Sequence, residues 1–159
     1  MCGIVGIFYR KSFKRDDVNI SKSIDSMVHR GPDDKGTTKF ELVSGFLEFG
    51  HTRLSIIDLS RNGRQPMQYS NERFTITFNG EIYNYKELRA ELNKLGYIFE
   101  TESDTEVLLA CWAEWKENCL KKVNGMFAFA IYDKKYNKLF CVRDAFGIKP
   151  LYFSYSHDT

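Results

Sequence analysis

Met1-Cys2-Gly3-Ile4-Val5-Gly6-Ile7-Phe8-Tyr9 opens the chain, and its second residue decides how everything after it is read. A side chain as small as that of Cys2 permits removal of the initiator methionine, which leaves a thiol and a free α-amino group on one residue. Such an amine titrates near pH ~8, close to the working pH at which general acid–base catalysis is most efficient. The chain would then begin with a nucleophile and its own base, the arrangement in which a terminal amine takes the place of histidine. Cys2 also reads as a small apolar residue packed at the start of a strand. The choice depends on what lies downstream. The run from Cys2 to Tyr9, with its two glycines, predicts a buried strand that carries the amino terminus into the interior.

Composition narrows the classes. A chain of 159 residues, 43% apolar and 15% aromatic, is long enough for one domain with a sizeable core. Lys and Arg number 23 against 21 Asp and Glu, for a net charge of +2, too balanced for a nucleic-acid or anionic-membrane partner. Apolar runs fall far short of the roughly 18 residues of a membrane span, and the start lacks a basic signal-peptide region, so a cytoplasmic protein is expected. Cys2, Cys111, Cys119 and Cys141 are irregularly spaced without a CxxC pair, which argues against a zinc site or a disulfide framework.

Beyond the first strand, Arg10 to Arg15 reads as a solvated linker, and Asp16-Asp17 as the start of a helix. Its buried face would be Ile20, Ile24, Met27 and Val28, and Gly31-Pro32 would stop it near His29. Thr37–Phe40 and Leu42–Phe49 predict a strand pair, with Gly45 and Gly50 marking a bulge or bends. Arg61 to Gln68 reads as a loop. Phe74-Thr75-Ile76-Thr77-Phe78 alternates as a half-buried strand does. Asn84-Tyr85-Lys86-Glu87 is a capping-box-like helix start, followed by Leu88, Leu92 and Leu95 on one face and Gly96 as the stop. Tyr97–Phe99 predicts a brief strand. Ser103-Asp104-Thr105-Glu106 repeats the capping pattern ahead of an amphipathic helix through Trp115. A hairpin from Phe127 to Asp144 and a last strand, Leu151 to Tyr155, complete the reading. Runs of strands separated by helices imply sheets stacked between helices, an α+β arrangement.

Three places carry candidate chemistry. Arg53, at a strand end, could clamp a carboxylate with two parallel hydrogen bonds or be an ordinary surface arginine. His51 reads as a hydrogen-bonded structural residue. At Asn79-Gly80, a side-chain amide and a backbone N–H can converge on one oxyanion, with glycine admitting a close approach to the backbone; the same pair is also a hairpin signal. Asp104, in a first helical turn, either complements the helix dipole or receives an ammonium group.

Met1-Cys2-Gly3-Ile4, His29-Arg30-Gly31-Pro32-Asp33, Gly50-His51-Thr52-Arg53-Leu54-Ser55-Ile56, Phe78-Asn79-Gly80-Glu81-Ile82-Tyr83-Asn84, Ser103-Asp104-Thr105-Glu106 and Arg143-Asp144-Ala145-Phe146-Gly147-Ile148-Lys149-Pro150-Leu151-Tyr152 occur in this order. Together they resemble the glutaminase domain of class II glutamine amidotransferases, in the spelling of the asparagine synthetase branch, from end to end of residues 1–159. The resemblance implies the four-layer αββα sandwich of N-terminal-nucleophile hydrolases, with two stacked, mainly antiparallel sheets. It implies that Cys2 attacks the glutamine carboxamide and that Asn79 and Gly80 hold the oxyanion. It assigns Arg53 to the α-carboxylate, with Leu54, Ser55, Ile56 and Ile57 lining the same pocket, Asp104 to the α-ammonium, and Glu81 to ordering that end.

The resemblance thus implies an L-glutamine hydrolase that releases ammonia through a Cys2 thioester and supplies an ATP-dependent synthetase domain in cis or in trans. No cofactor is expected for the glutaminase part, with ATP and magnesium belonging to the synthetase domain, whose pyrophosphate loop is not among these residues. A homodimer stays open. Two other readings remain: a catalytically silent domain that senses glutamine or binds a partner, and an ammonia donor to a sugar-type acceptor.

Overall fold

In the computed structural model, which describes residues 1–12 and 19–155, the strands form two antiparallel sheets. β1 (Gly3–Arg10), β2 (Asp34–Glu41) and β3 (Gly45–Arg53) make the first, in the order β1-β3-β2. β4 (Met67–Tyr69), β5 (Phe74–Ile82), β6 (Gly125–Asp133) and β7 (Lys138–Arg143) make the second, in chain order. Helix α1 (Ile20–Ser26) packs on β1 and β3, while α2 (Tyr85–Lys94) and α3 (Asp104–Trp115) share a core with the second sheet. The two sheets face each other through β1, β3 and β5. The layers therefore run helix, sheet, sheet, helices, the αββα order that the resemblance implied.

The strand pleat sends alternate side chains into different layers. From β5, Phe74, Ile76, Phe78 and Ile82 enter the core shared with Leu88 and Leu92 of α2 and Val107, Leu108 and Trp112 of α3. Trp112 meets Phe129 and Phe140 edge-on, at ring separations of 6.1 and 5.0 Å, in the geometry aromatic quadrupoles favour. Between the sheets a smaller core joins Leu47 and Phe49 of β3 to Ala130 and Tyr132 of β6. Polar bonds cross the same interface: Thr77 Oγ1 donates to the Gly50 carbonyl at 3.2 Å, and His51 Nε2 bonds the Phe78 carbonyl at 3.1 Å. Burial pushes the His51 imidazole down to about 4, so the ring is neutral and Nε2–H is the donor to that carbonyl.

Several expectations are corrected. β1 is an edge strand with Phe8 exposed, not a buried one. The Asp16-Asp17 helix start lies outside the described residues; α1 is capped by the Asn19 side chain, which accepts from Lys22 N, and it ends at Ser26. Leu42 sits in a turn, and β3 pairs through Gly45 and Gly50 without a bulge. Gly50 is small because a Cβ there would stand 2.7 Å from Ile24 Cδ1 and 2.8 Å from Val5 Cγ1, so its absence lets α1 settle on the sheet. β5 is buried on both faces, since its threonines meet the other sheet rather than water.

The helix ends and the carboxy-terminal stretch also differ. Asn84 does not cap α2 with its side chain, which bonds Lys122 O and Asn124 N instead, and Leu95 is exposed. Tyr97–Phe99 and Leu151–Tyr155 form no strand. The Ser103 side chain does cap α3, accepting from Glu106 N. The Glu106 carboxylate, however, takes the amides of Glu100 and Thr101 rather than closing a capping box. From Asp104 to Trp112 every residue of α3 is buried, so the helix is embedded and not amphipathic.

Candidate active site

Antiparallel register brings the first residues of the chain to the end of β3. Gly3 pairs with Thr52, the Gly3 amide donates to Thr52 Oγ1 at 3.1 Å, and Arg30 Nε donates to the Cys2 carbonyl at 3.1 Å. The backbone on either side of the thiol is thereby fixed. Cys2 Sγ lies against the next turn, where it accepts from the Leu54 amide at 3.5 Å. Burial pushes this thiol up, while the Leu54 amide, the terminal ammonium and Arg53 pull the other way and Asp104 adds to the rise.

Cys2 opens into a cleft of about 660 Å³, counting its mouth, whose walls include Arg53, Leu54, Ser55, Ile56, Ile57, Asn79, Gly80, Glu81 and Asp104. All ten residues named from the sequence thus meet at one place. His51 lies behind the cleft, where it ties β3 to β5.

The walls are set by β5. Phe127, opposite Gly80, exchanges both of its backbone hydrogen bonds with Asp144 on the β7 side. In an antiparallel ladder the alternation then turns the backbone groups of Gly80 away from β6. The amides of Phe78 and Ile82, two residues to either side, point the same way and find acceptors in Gln65 Oε1 at 2.7 Å and Asp104 Oδ2 at 2.9 Å. Between them the Gly80 N–H has no such acceptor among the described residues and lines the cleft. The Asn79 side chain, 4% exposed, likewise makes no hydrogen bond among the described residues. Two donors are therefore uncommitted beside Cys2. Gly80 is glycine for a packing reason the sequence did not reveal: a Cβ would strike Met126 O on β6.

Charge is laid out at two ends. The Arg53 guanidinium, 8% exposed, is held by backbone carbonyls: Nη1 donates to Ser60 O at 2.7 Å, and Nη2 to Asp58 O. Among the described residues it has no carboxylate in ion-pair contact. Asp104, 6% exposed, has no cation in contact among the same residues. Burial first, and the neighbouring Glu81 charge second, push its carboxyl up to about 6 against the pull of the Ile82 amide. A buried unpaired cation and a buried unpaired carboxylate are each expensive in isolation. A ligand carrying a carboxylate and an ammonium would satisfy both.

Sequence reasoning missed several wall residues. Gly63 lies in the Arg61 to Gln68 stretch read as loop, yet it is the floor under Arg53, where a Cβ would collide with Nη2. Gln65, inside a stretch read as loop, is buried and bridges Phe78 N to Thr105 Oγ1; nothing in its local spacing announces this. Asp58, Met126 and Lys149 line the cleft as well. Lys149 belongs to a quoted motif but had no role.

The profile of the glutamine amidotransferase domain family matches residues 1–159. The chain is 49% identical over 161 residues to asparagine synthetase [glutamine-hydrolyzing] 1 of Bacillus subtilis, covering 99% of this chain and 25% of that protein. It is 40% identical over 159 residues to asparagine synthetase B [glutamine-hydrolyzing] of Escherichia coli, covering 98% and 27%. Among solved structures, the glutamine phosphoribosylpyrophosphate amidotransferase of B. subtilis superposes with a TM-score of 0.48 at 28% identity, over 57% of this chain and 22% of that one. The chain spans about a quarter of the length of the curated relatives it matches. By the family profile over residues 1–159 and the two asparagine synthetase relatives, the chain belongs to the class II glutamine amidotransferase domains of the asparagine synthetase family.

Proposed function

We propose that this domain hydrolyses L-glutamine to glutamate and ammonia through a thioester on Cys2, and that the ammonia feeds an asparagine synthetase-type, ATP-dependent domain. The observation that carries the reading is the pair of buried, unpaired opposite charges, Arg53 and Asp104, in the cleft that holds Cys2. It selects an α-amino acid over a simple amide. With its α-carboxylate on Arg53 and its α-ammonium between Asp104 and Glu81, glutamine presents its side-chain carboxamide to Sγ.

The proton path depends on removal of Met1. The freed Cys2 amine takes the thiol proton as Sγ bonds to the carboxamide carbon, and the oxyanion accepts from Gly80 N–H and the Asn79 amide. The C–N bond breaks as the amine returns the proton to the leaving nitrogen, releasing ammonia. Water, deprotonated by the same amine, then attacks the thioester and releases glutamate, restoring the thiol. The proposed hydrolytic half-reaction runs on the Cys2 thiol and amine, the Gly80 N–H, the Asn79 amide and one water. ATP and magnesium would serve a synthetase domain, proposed as the partner here, in cis or in trans. Among the described residues no helix is long and apolar enough to cross a membrane, and we place the protein in the cytoplasm.

The test is ammonia release from glutamine by the processed chain and by Cys2→Ala, with hydroxylamine present to trap a thioester as the γ-hydroxamate. Wild type should give ammonia, glutamate and hydroxamate, and the variant none of them. Equal rates in the two would overturn the proposal in favour of a silent glutamine-binding domain.

A further inference from the structure

Glutamine hydrolysis by Cys2, Asn79, Gly80, Arg53 and Asp104 leaves Lys149 unused, although its side chain is buried at 5% exposure and lines the Cys2 cleft. The turn that carries it is held unusually firmly. The Asp144 carboxylate accepts the backbone N–H groups of Phe127, Phe146, Ile148 and Lys149 at 2.9–3.1 Å. Arg143 Nε donates to the Lys149 carbonyl at 3.0 Å, and its Nη2 to the Gly147 carbonyl at 2.7 Å. So much order aims an ammonium at the cleft. Lys149 Nζ there contacts Met1 Sδ at 2.8 Å, a thioether that is a weak acceptor and that departs when the initiator residue is removed. Counting bond lengths from the Cys2 nitrogen through Met1 to Sδ, and adding that contact, Nζ stands no more than roughly 10.5 Å from the future α-amine.

We propose that Lys149 is a positioning residue for the Cys2 amine–thiol pair: its positive charge keeps that pair, at working pH, in the state that has given up one proton, so that the amine can take the proton left on sulfur and later return it to the leaving nitrogen. The purpose assigned to it rests on the glutaminase reading; the electrostatics do not. Other charges face Cys2 from each neighbouring element: Arg30 from the turn after α1, Arg53 from the end of β3, Asp58 from the loop beyond it, Glu81 from β5 and Asp104 from α3. Arg53 already draws the thiol down while its guanidinium is held by backbone carbonyls, Arg30 is turned to the Cys2 carbonyl, and the three carboxylates oppose loss of a proton. Lys149 is the remaining cation on the wall among the described residues. An ammonium at this range disfavours a second positive charge on the amine and favours the thiolate. Both effects lower the pH at which the coupled pair releases its proton.

The experiment compares processed wild type, Lys149→Met and Lys149→Arg, each shown by intact mass to lack Met1. Iodoacetamide alkylation of the amino-terminal peptide is followed by mass spectrometry against pH, which separates Cys2 from the exposed Cys141. The acid limb of kcat is measured alongside, because in the glutamine complex Asp104 is paired and drops out of that profile. In Lys149→Met the alkylation midpoint and the kcat limb should both rise by on the order of one pH unit, while Lys149→Arg keeps both near wild type. An unmoved midpoint in Lys149→Met, or equal shifts in both variants, overturns the proposal. A midpoint that moves as expected in a protein without glutaminase activity would uphold Lys149 and sink the function reading instead.

Discussion

Replacing Asp104 with asparagine separates what the site costs from what it does. The substitution keeps an oxygen for the Ile82 amide, which now bonds Oδ2 at 2.9 Å, and removes only the ionisation. The Asp104 carboxyl is pushed from 3.8 up to about 6 by burial and by Glu81. At about 1.4 kcal/mol per unit, the ionised form opposes folding by about 3 kcal/mol once the pH exceeds the folded value. The sign comes from linkage. Above about pH 6 both the folded and the unfolded chain carry the carboxylate, and the full penalty applies. Between 6 and 4 the folded chain binds a proton that the unfolded chain lacks, and the penalty shrinks. Below the unfolded value it vanishes.

Asp104→Asn should therefore melt roughly 6–12 °C above wild type at pH 7.5, taking about 2–4 °C per kcal/mol for a chain of this size. The gap should close toward pH 4. Scanning calorimetry without glutamine at pH 4.5, 6 and 7.5 measures it, and a gap that stays constant across that range would refute the argument. Glutamine should also raise the melting temperature of wild type more than that of the variant, because only the carboxylate pairs with the ligand ammonium.

Asn79→Ala should lower kcat by ~10²–10³ and leave the melting temperature nearly unchanged, since the side chain bonds nothing among the described residues; steady-state kinetics with a thermal melt checks both halves. Gly63→Ala places a methyl group against Arg53 Nη2 and should loosen the guanidinium. Glutamine KM should then rise roughly tenfold or more, the scale of a lost charge-assisted hydrogen bond, with kcat changed little; a glutamine titration with unaltered KM would show that the floor does not position Arg53.

The chemistry of this cleft was more legible than its walls. Cys2, Arg53, Asn79-Gly80 and Asp104 are each a residue type with one demanding use, and each sits where a strand or helix signal ends or begins. Gly63 and Gln65 escaped because they act on other protein groups across long sequence separations, which no local period encodes. The helix-facing side of β5 was readable from Phe74, Ile76 and Phe78. Its threonines looked solvent-facing because a polar residue that meets another sheet spells the same as one that meets water. The missing strands at Tyr97–Phe99 and Leu151–Tyr155 fail for a related reason: an aromatic run satisfies the strand pattern whether or not a neighbouring strand offers it a ladder.

Register is what turns this sandwich into a site. Were β5 to slip by one residue against β6, the Gly80 amide would enter the ladder, Asn79 would turn toward the helices, and Arg53 would face a wall without donors. Asp144 guards against that slip. Burial alone would raise its carboxyl, yet the amides of Lys149, Ile148, Phe127 and Phe146 outweigh burial and hold it below the usual carboxylate range. One of those amides belongs to Phe127, the residue opposite Gly80, and the others belong to the turn that presents Lys149. A single side chain thus fixes both the strand register that frees the Gly80 N–H and the loop that brings a cation toward Cys2. The Arg143–Tyr152 motif, which touches neither Arg53 nor Asp104, therefore serves the amino-terminal cysteine through register and charge placement.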